Sequence, residues 1–268
     1  MNMSSEWLVC NQPNPSAKIK LYCFPYAGAG SMVFRNWTES LPDWIELWAI
    51  QLPGREWRFK EKPFTSMQEI TGDLGKILVN NIEKPFAFFG HSMGAWLAFE
   101  LARYLRKTTS LLPTNLFVSA RFAPHLPIPH DLGNLKDEDL IESVKSFQGI
   151  PEEILKKPHL IKLLIPILRA DLCVCETYKY IEELPLECPI SIFGGQYDHT
   201  IEYNGLKAWT QHTTNTSRIE IFPGDHFFLR TSQTQLINSI ISDLEKINYS
   251  EPLHPKIYQN MVTRNVKG

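Results

Sequence analysis

The sequence FAFFGHSMGA at residues 86–95 decides the fold of this chain. Its apolar half is typical of a buried strand, and the apolar periodicity from Trp96 to Leu105 predicts a helix directly after it. Between them stands Ser92, flanked by Gly90 and Gly94. A turn tight enough to expose the serine hydroxyl leaves no room for a side chain at either glycine position. Strand, G-x-S-x-G and helix in this order indicate a nucleophile elbow with Ser92 as the nucleophile.

The length and charge of the chain limit the classes of function. Its 268 residues are many for one compact domain but ordinary for an α/β enzyme, so we expect a single domain with an insertion. The 27 basic residues nearly balance the 29 acidic ones, which argues against nucleic acid or an anionic membrane as a partner. No apolar run approaches the roughly 18 residues that a membrane span needs.

The five cysteines stand in a chain whose first residues lack a signal-peptide pattern, and this predicts a reduced, cytoplasmic protein. Cys173 and Cys175 are two positions apart in a predicted helix, so they point to different faces, and no histidines stand at metal-ligand spacing. We therefore expect neither a metal nor a cofactor. We also expect a monomer.

Strands and helices alternate over the first 120 residues, which is typical of a mostly parallel sheet covered by helices on both faces. Strands are predicted at 18–24, 45–51 and 114–120, with a short edge strand at 7–9 and a helix at 32–41. A further helix is predicted at 66–82, where Ser66 and Glu69 have the spacing of a capping box.

The alternation stops between residues 121 and 187, where only a proline-rich turn and helices at 137–147, 152–157 and 159–181 are predicted. A crossover needs about a dozen residues. We interpret the excess as a helical lid over the active site, with additional core as the alternative. Strands resume at 189–193 and 218–222, and a helix at 232–247 ends the fold. The predicted organisation is a core of residues 1–120 and 188–248, a lid of residues 121–187, and a C-terminal tail of residues 249–268.

A serine hydroxyl becomes a good nucleophile only when a base takes its proton and a carboxylate orients that base. Asp198 follows the predicted strand 189–193, and His226 follows the strand 218–222. The order Ser92, Asp198, His226 is the one that α/β-hydrolases use. Asp171 and Asp225 are weaker candidates for the acid. Seven further histidines lack this combination of strand end and order: His91, His125, His130, His159, His199, His212 and His254.

The oxyanion formed on attack needs two backbone donors. The amide of Met93, directly after the nucleophile, is the first candidate, and the amide of Ala27 in the small-residue loop 25–31 is the second. Loss of one such donor costs about 3 kcal/mol of transition-state stabilisation. The loop could instead bind a phosphate, but neither G-x-G-x-x-G nor a terminal Gly-Lys-Ser/Thr is present.

Residues 55–62 form the most basic local cluster, with Arg55, Arg58, Lys60 and Lys62 against two glutamates. A solvated loop is the simpler interpretation. The alternative is a docking surface for an acidic partner.

Five motifs in matching order resemble the type II thioesterases of nonribosomal peptide and polyketide synthesis: FPYAG at 24–28, QLPGR at 51–55, GHSMG at 90–94, LRAD at 168–171 and GDHFF at 224–228. The resemblance covers about residues 18–247. It implies an α/β-hydrolase fold and a stand-alone enzyme that hydrolyses acyl groups from the phosphopantetheine arm of acyl or peptidyl carrier proteins. Such an enzyme clears misprimed or stalled synthase modules.

By position, the resemblance assigns Ser92, Asp198 and His226 to the catalytic triad, and Met93 and Ala27 to the oxyanion hole. Tyr26 departs from the family pattern, because many members have histidine there. The triad by itself does not distinguish a thioester from an ester. The alternatives are therefore a medium-chain acyl carrier protein hydrolase, a small-molecule carboxylesterase and, from another class, an inactive hydrolase scaffold that binds an acylated partner.

Overall fold

The computed structural model describes residues 6–128, 132–146, 149–150 and 155–247. Within these ranges one sheet has the strand order β1-β3-β2-β4-β5-β6-β7, in which β1 is antiparallel to β3 and the other neighbours are parallel. This is the mostly parallel sheet that the sequence predicted. The strands are β1 (Leu8–Val9), β2 (Ile19–Phe24), β3 (Ile45–Ile50), β4 (Phe86–His91), β5 (Leu116–Ser119), β6 (Ile190–Gly195) and β7 (Ser217–Phe222).

Helices connect the strands and cover both faces of the sheet. The segment predicted as a helix at 32–41 is a 3₁₀ helix, Ser31–Ser40, and two shorter 3₁₀ helices are Glu56–Arg58 and Ala208–His212. The α-helices are α1 (Met67–Asn81), α2 (Met93–Thr109), α3 (Asp137–Ser146), α4 (Pro158–Glu176), α5 (Tyr203–Lys207), α6 (Phe228–Thr231) and α7 (Gln233–Glu245).

The two faces of the sheet explain why residues 86–89 of β4 are all apolar. Phe86 and Phe88 pack into a core with the apolar sides of α1 and α2. Ala87 and Phe89 point the other way, into a core with the 3₁₀ helix Ser31–Ser40 and α7. A central parallel strand is buried on both faces, so every position along it favours an apolar residue.

The segment between β5 and β6 builds a third apolar cluster from α3, α4 and the chain near Ile150. Pro158 occupies the first turn of α4, where a missing amide hydrogen costs little. Helix α4 ends at Glu176, five residues before the predicted end. Residues 152–154 of the helix predicted at 152–157 lie outside the described ranges, and the tail at 249–268 lies wholly outside them. The boundaries of core, lid and tail remain predictions.

Parallel strands carry their carboxyl ends to the same edge of the sheet. β4 therefore ends at His91 on the same edge at which β6 ends at Gly195 and β7 ends at Phe222. The turns that follow these three strands contain Ser92, Asp198 and His226. In the described residues no helix is both long enough and apolar enough to cross a bilayer.

Candidate active site

Ser92 occupies a sharp turn between β4 and α2. Its backbone has φ 55° and ψ −117°, a region that non-glycine residues rarely adopt. A Cβ atom on Gly94 would collide with the backbone carbonyls of Phe24 and Pro25, and one on Gly90 would collide with the carbonyl of Gly94. The turn therefore requires glycine at both positions for the steric reason that the sequence predicted.

The three side chains predicted to act together form a continuous chain of hydrogen bonds. His226 Nε2 lies 3.1 Å from Ser92 Oγ, and His226 Nδ1 lies 2.8 Å from Asp198 Oδ2. The second carboxylate oxygen of Asp198 accepts hydrogen bonds from the backbone amide and the hydroxyl of Thr200, at 2.9 Å and 2.6 Å. The geometry leaves Nε2 of His226 facing the serine and Nδ1 facing the carboxylate.

The surroundings of Asp198 favour its charged form. Burial by itself raises the pKa of this carboxyl group, but the hydrogen bond and charge of His226 and the two hydrogen bonds from Thr200 lower it further than burial raises it. The net result is a pKa below the ordinary value for aspartate. Asp198 can therefore remain ionised beside His226.

The two weaker candidates for the acid have other partners. Asp225 Oδ1 accepts the amide hydrogen of Phe227 at 2.7 Å, which shapes the turn at His226. Asp171 lies on α4 and forms two hydrogen bonds with Arg55, between Oδ2 and Nη1 at 2.5 Å and between Oδ1 and Nη2 at 2.8 Å.

His91 has a role that the sequence did not reveal. It is fully buried, with Nδ1 2.9 Å from Ser119 Oγ and Nε2 2.9 Å from the backbone carbonyl of His226. Burial, followed by the charge of His226, lowers its pKa well below the ordinary value, so it is neutral. A neutral ring with Nε2 protonated donates to the carbonyl of His226. His91 thereby joins the residue before the nucleophile to the loop of the predicted base.

The two predicted oxyanion donors follow neighbouring strands, since β2 and β4 are paired with Phe24 opposite Gly90. Met93 is the first residue of α2, so its amide has no partner within the helix. In the loop after β2, the amide of Gly28 donates to Asp171 Oδ2 at 2.7 Å and that of Ala29 donates to the carbonyl of Tyr26. No hydrogen bond to the described protein is found for the amide of Ala27.

The ion pair of Asp171 with Arg55 fixes this loop to α4. Both side chains are almost fully buried, and Asp171 Oδ2 accepts from Arg55 and from the amide of Gly28 at once. Arg55 also donates to the carbonyl of Ala29 at 3.1 Å. The motifs QLPGR and LRAD contain these two residues, but the pairing between them was not predicted.

The predicted docking cluster is only partly exposed. Arg55 is buried in the ion pair described above. Arg58 is buried as well, and its Nε and Nη2 atoms bind the carboxylate of Glu61 at 2.7 Å and 2.6 Å. The prediction that Arg55 and Arg58 meet an acidic partner is therefore wrong, because neither guanidinium is accessible. Lys60 and Lys62 are exposed.

Tyr26 is buried within the loop 25–31, the predicted oxyanion loop, and gives this part of the site an aromatic wall. Its hydroxyl accepts a hydrogen bond from Arg230 Nη2 at 2.7 Å. Its ring makes edge contacts with His91 and Phe227, at centroid distances of 5.8 Å and 4.9 Å. The position that departs from the family pattern is thus integrated with the loop that carries His226.

Ser92 and His226 line a largely apolar cavity, which has about 920 Å³ of empty space including its mouth. One wall is the segment between β5 and β6. Among its apolar lining residues are Ile128, Leu132, Val144, Leu168, Leu172 and Ile201. Within the described ranges there is no group of three or more histidine, cysteine, aspartate or glutamate side chains suited to a metal ion.

The family model of the thioesterase domain matches residues 19–246. The gramicidin S biosynthesis protein GrsT of Aneurinibacillus migulanus is 41% identical over 254 residues, covering 94% of this chain and 97% of the relative. The medium-chain S-acyl fatty acid synthase thioesterase of Rattus norvegicus is 34% identical over 230 residues, covering 83% and 86%.

Among solved structures, the type II thioesterase BorB from the borrelidin biosynthetic cluster superposes with a TM-score of 0.83 at 31% identity, covering 90% of this chain and 98% of that chain. These relatives confirm the resemblance to type II thioesterases that was based on five sequence motifs. They also confirm the predicted α/β-hydrolase fold. The family match extends from β2 to the end of α7. The chain therefore belongs to the thioesterase domain family.

Proposed function

We propose that this protein is a stand-alone serine thioesterase that releases acyl groups from the phosphopantetheine arm of carrier proteins. Its task is to clear aberrant or stalled acyl units from nonribosomal peptide and polyketide synthases. The observation that carries the proposal is the hydrogen-bonded series Ser92, His226 and Asp198 at the mouth of an apolar cavity, in a chain of the thioesterase family.

In the first half of the reaction Ser92 Oγ attacks the thioester carbon while His226 Nε2 takes its proton. The carbonyl oxygen becomes an oxyanion that accepts hydrogen bonds from the amides of Met93 and Ala27. The carbon–sulfur bond then breaks, the thiol leaves with the proton from His226, and the acyl group remains on Ser92. Asp198 holds Nδ1 of His226 and stabilises the imidazolium.

In the second half His226 removes a proton from water, and the resulting hydroxide attacks the acyl-serine. Collapse of this intermediate returns the proton to Ser92 Oγ and releases the carboxylic acid. A thiol leaving group with a pKa of about 8.5 needs less protonation than an alcohol does. The same groups therefore suit a thioester at least as well as an ester.

Two openings suit the two halves of the substrate. The apolar cavity fits the acyl chain. A second groove runs between the loop 26–30 and α4, and its lining includes Ala27, Gly30, Val33 and Leu164. Ala27 borders both openings. An extended phosphopantetheine arm in this groove would bring its thioester to the amide of Ala27 and to Ser92.

The exposed residues that follow Arg55 form a suitable docking surface, which we define as Trp57, Phe59, Lys60 and Lys62. The two aromatic residues, Trp57 and Phe59, are 51% and 62% exposed. The carrier proteins on which type II thioesterases act are acidic. Two lysines beside two exposed aromatic residues therefore offer complementary charge and apolar contact. The docking surface contains Lys60 and Lys62, which are two of the four basic residues that the sequence predicted for docking.

Hydrolysis of carrier-bound acyl groups tests the proposal. We expect the purified protein to hydrolyse acyl-carrier thioesters faster than acyl-coenzyme A and simple aryl esters. Ser92→Ala should abolish this activity while the protein keeps its fold by circular dichroism. Native-rate hydrolysis by Ser92→Ala would overturn the proposed nucleophile. Equal turnover of carrier-bound and simple substrates would overturn the proposed substrate class.

The relative from Rattus norvegicus and the apolar cavity favour a second candidate, a medium-chain acyl carrier protein hydrolase. Acyl groups of increasing length on one carrier protein separate the two. A sharp optimum at medium chain length would favour the second candidate, whereas turnover of short and aminoacyl groups favours the first. The cytoplasmic location, the monomeric state and the lack of a cofactor form part of the proposal.

A further inference from the structure

Arg121 places a cation in the cavity beside Ser92. It follows β5 by two residues, and the carbonyl of Ser119 at the end of that strand accepts the amide hydrogen of Ser92 at 2.8 Å. Arg121 and Ser92 line the same cavity. The side chain therefore belongs to the space that, under the proposed function, receives the acyl chain.

Two aromatic rings hold the guanidinium in place. Its central carbon is 3.6 Å from the ring centroid of Trp96 and 4.7 Å from that of Phe122. The indole Nε1 of Trp96 donates to the carbonyl of Phe122 at 2.9 Å, which fixes the larger ring. Trp96 lies in the first turn of α2, the helix that begins directly after Ser92. The ring that holds the guanidinium therefore belongs to the same helix that follows the nucleophile.

The charge of Arg121 has no counter-ion in the described part of the chain. Its Nε is buried without a hydrogen-bond partner. Burial lowers the pKa of Arg121, and the opposing influence comes from Cys175, whose own pKa burial raises to about 11, so that it is a neutral thiol. Glu176 also lines the cavity, but its carboxylate accepts hydrogen bonds from the amides of Leu132 and Gly133.

The arginines that are buried in the described part of the chain face carboxylates. Arg55 pairs with Asp171, and Arg58 pairs with Glu61. Arg103 pairs with Glu100 and Glu183. An unpaired buried charge is costly, so the fold supplies an anion in each of these places. At Arg121, which is half-buried, the described residues supply no such anion, and the side chain lines an accessible cavity instead.

We propose that Arg121 is a specificity-determining residue that binds a carboxylate on the acyl chain of the substrate. The preferred substrates are then short dicarboxylic half-thioesters, in which one carboxyl group is linked to the carrier and the other is free. The inference rests on the proposed function. A guanidinium binds carboxylate through its planar array of N–H donors, and the apolar lining accepts the intervening methylene groups.

Matched acyl groups test this inference. Succinyl and isocaproyl groups have the same shape, and malonyl and isovaleryl groups form a second such pair. Within each pair, the first group ends in a carboxylate and the second ends in an uncharged isopropyl group. We expect the wild-type protein to have a higher kcat/KM for the acid of each pair. In Arg121→Met the ratio of succinyl to isocaproyl kcat/KM should fall about 10- to 100-fold, the usual effect of losing a hydrogen bond to a charged group.

Arg35→Met is the matched control, because Arg35 is exposed on the 3₁₀ helix Ser31–Ser40, and we expect it to keep the wild-type ratio. Arg121→Lys keeps the charge and should give an intermediate ratio, which also covers the case in which Arg121→Met does not fold. A wild-type ratio near one, or equal loss for both substrates in Arg121→Met, would overturn the inference. Failure of the proposed function is distinguishable, since it would leave the wild type unable to hydrolyse either member of a pair.

Discussion

The backbone of Ser92 adopts φ and ψ angles that are unfavourable for any residue with a side chain. Such a conformation costs about 1–3 kcal/mol and persists only where the surrounding structure enforces it. The turn at Ser92 is held by β4 before it and by the start of α2 after it. Gly94 packs closely against the backbone at the end of β2 and the start of the following loop. The result is a hydroxyl directed at His226 and a neighbouring amide, that of Met93, open to an oxyanion.

Replacement of Gly94 by alanine tests this steric account. The added Cβ would meet the backbone carbonyls of Phe24 and Pro25, which cannot move without distorting the oxyanion loop. We expect Gly94→Ala to lower the free energy of unfolding by more than about 2 kcal/mol and to abolish turnover. Urea denaturation and single-turnover hydrolysis measure the two effects.

Gly72→Ala is the matched control for that substitution. Gly72 lies within α1, and an added Cβ there would meet nothing within 4 Å. Alanine in an unhindered helical position should stabilise the protein by about 0.5–1 kcal/mol and leave kcat unchanged. A Gly94→Ala protein that behaved like the control would contradict the steric account.

A second prediction at this scale concerns His91. His91→Phe removes the hydrogen bond to the carbonyl of His226 and leaves that carbonyl buried, which should cost about 1–3 kcal/mol of stability. Because the loop of His226 would shift, we expect kcat to fall more than KM rises. His91→Gln can still donate at a similar position and should recover part of kcat. Equal kcat for the phenylalanine and glutamine variants would show that the hydrogen bond does not position the base.

At the scale of secondary-structure elements, a buried ion pair links α4 to the predicted oxyanion loop. Both of its partners, Asp171 of α4 and Arg55, form hydrogen bonds with the backbone of the loop. Asp171 joins Arg55, the amide of Gly28 and, through Arg55, the carbonyl of Ala29. Gly28 has φ 82°, and a Cβ at that position would press on Leu168 of the same helix. The loop that presents the amide of Ala27 is therefore shaped by a helix more than 130 residues later.

Removal of one partner of this pair should disturb both stability and catalysis. Asp171→Asn leaves Arg55 buried beside a neutral amide, and we expect a loss of about 3–5 kcal/mol. We also expect kcat to fall, because the amide of Gly28 loses its charged acceptor and the neighbouring amide of Ala27 loses its position. Thermal unfolding and kcat on one acyl-carrier substrate provide the measurements.

An exposed ion pair on the same helix supplies the control. Arg169 of α4 pairs with Asp137 of α3, and 58% of the Asp137 side chain is exposed. Asp137→Asn should cost at most about 1 kcal/mol, since solvent screens exposed pairs. If Asp171→Asn and Asp137→Asn had equal effects on kcat, the buried pair would have no special part in shaping the loop.

At the scale of the whole molecule, the proposed docking surface predicts how charge and ionic strength affect the binding of a carrier protein. The double substitution Lys60→Glu and Lys62→Glu should raise KM for an acidic carrier at low ionic strength, with kcat little changed. Added salt should reduce the difference from wild type. Steady-state kinetics over a range of salt concentrations give the measurement.

A control with the same change of charge distinguishes docking from net charge. Lys76 and Lys207 are both exposed and lie outside the defined docking surface. The double substitution Lys76→Glu and Lys207→Glu should leave KM close to that of the wild type. The docking surface would be ruled out if both double variants raised KM equally, or if neither did.

The fold could be predicted closely because its signals are local. Apolar periodicity separated strands from helices, and each depends on residues within a few positions of one another. The order Ser92, Asp198, His226 was informative because parallel strands bring their carboxyl ends to one edge. The helix predicted at 32–41 lies within one residue of the observed bounds, Ser31–Ser40. The apolar pattern did not distinguish a 3₁₀ helix from an α-helix, because their hydrogen-bond spacings differ by only one residue.

The sequence by itself determined the elbow at Ser92, the parallel sheet and the family, because each depends on short motifs and their order. Only the tertiary structure decided which charges are buried and what they contact. Arg55 and Arg58 look in sequence like the lysines beside them, yet both are buried against carboxylates, whereas the half-buried Arg121 faces no carboxylate of the described residues. Burial and pairing depend on residues far apart in the chain that folding brings together, so no local pattern of residue types specifies them.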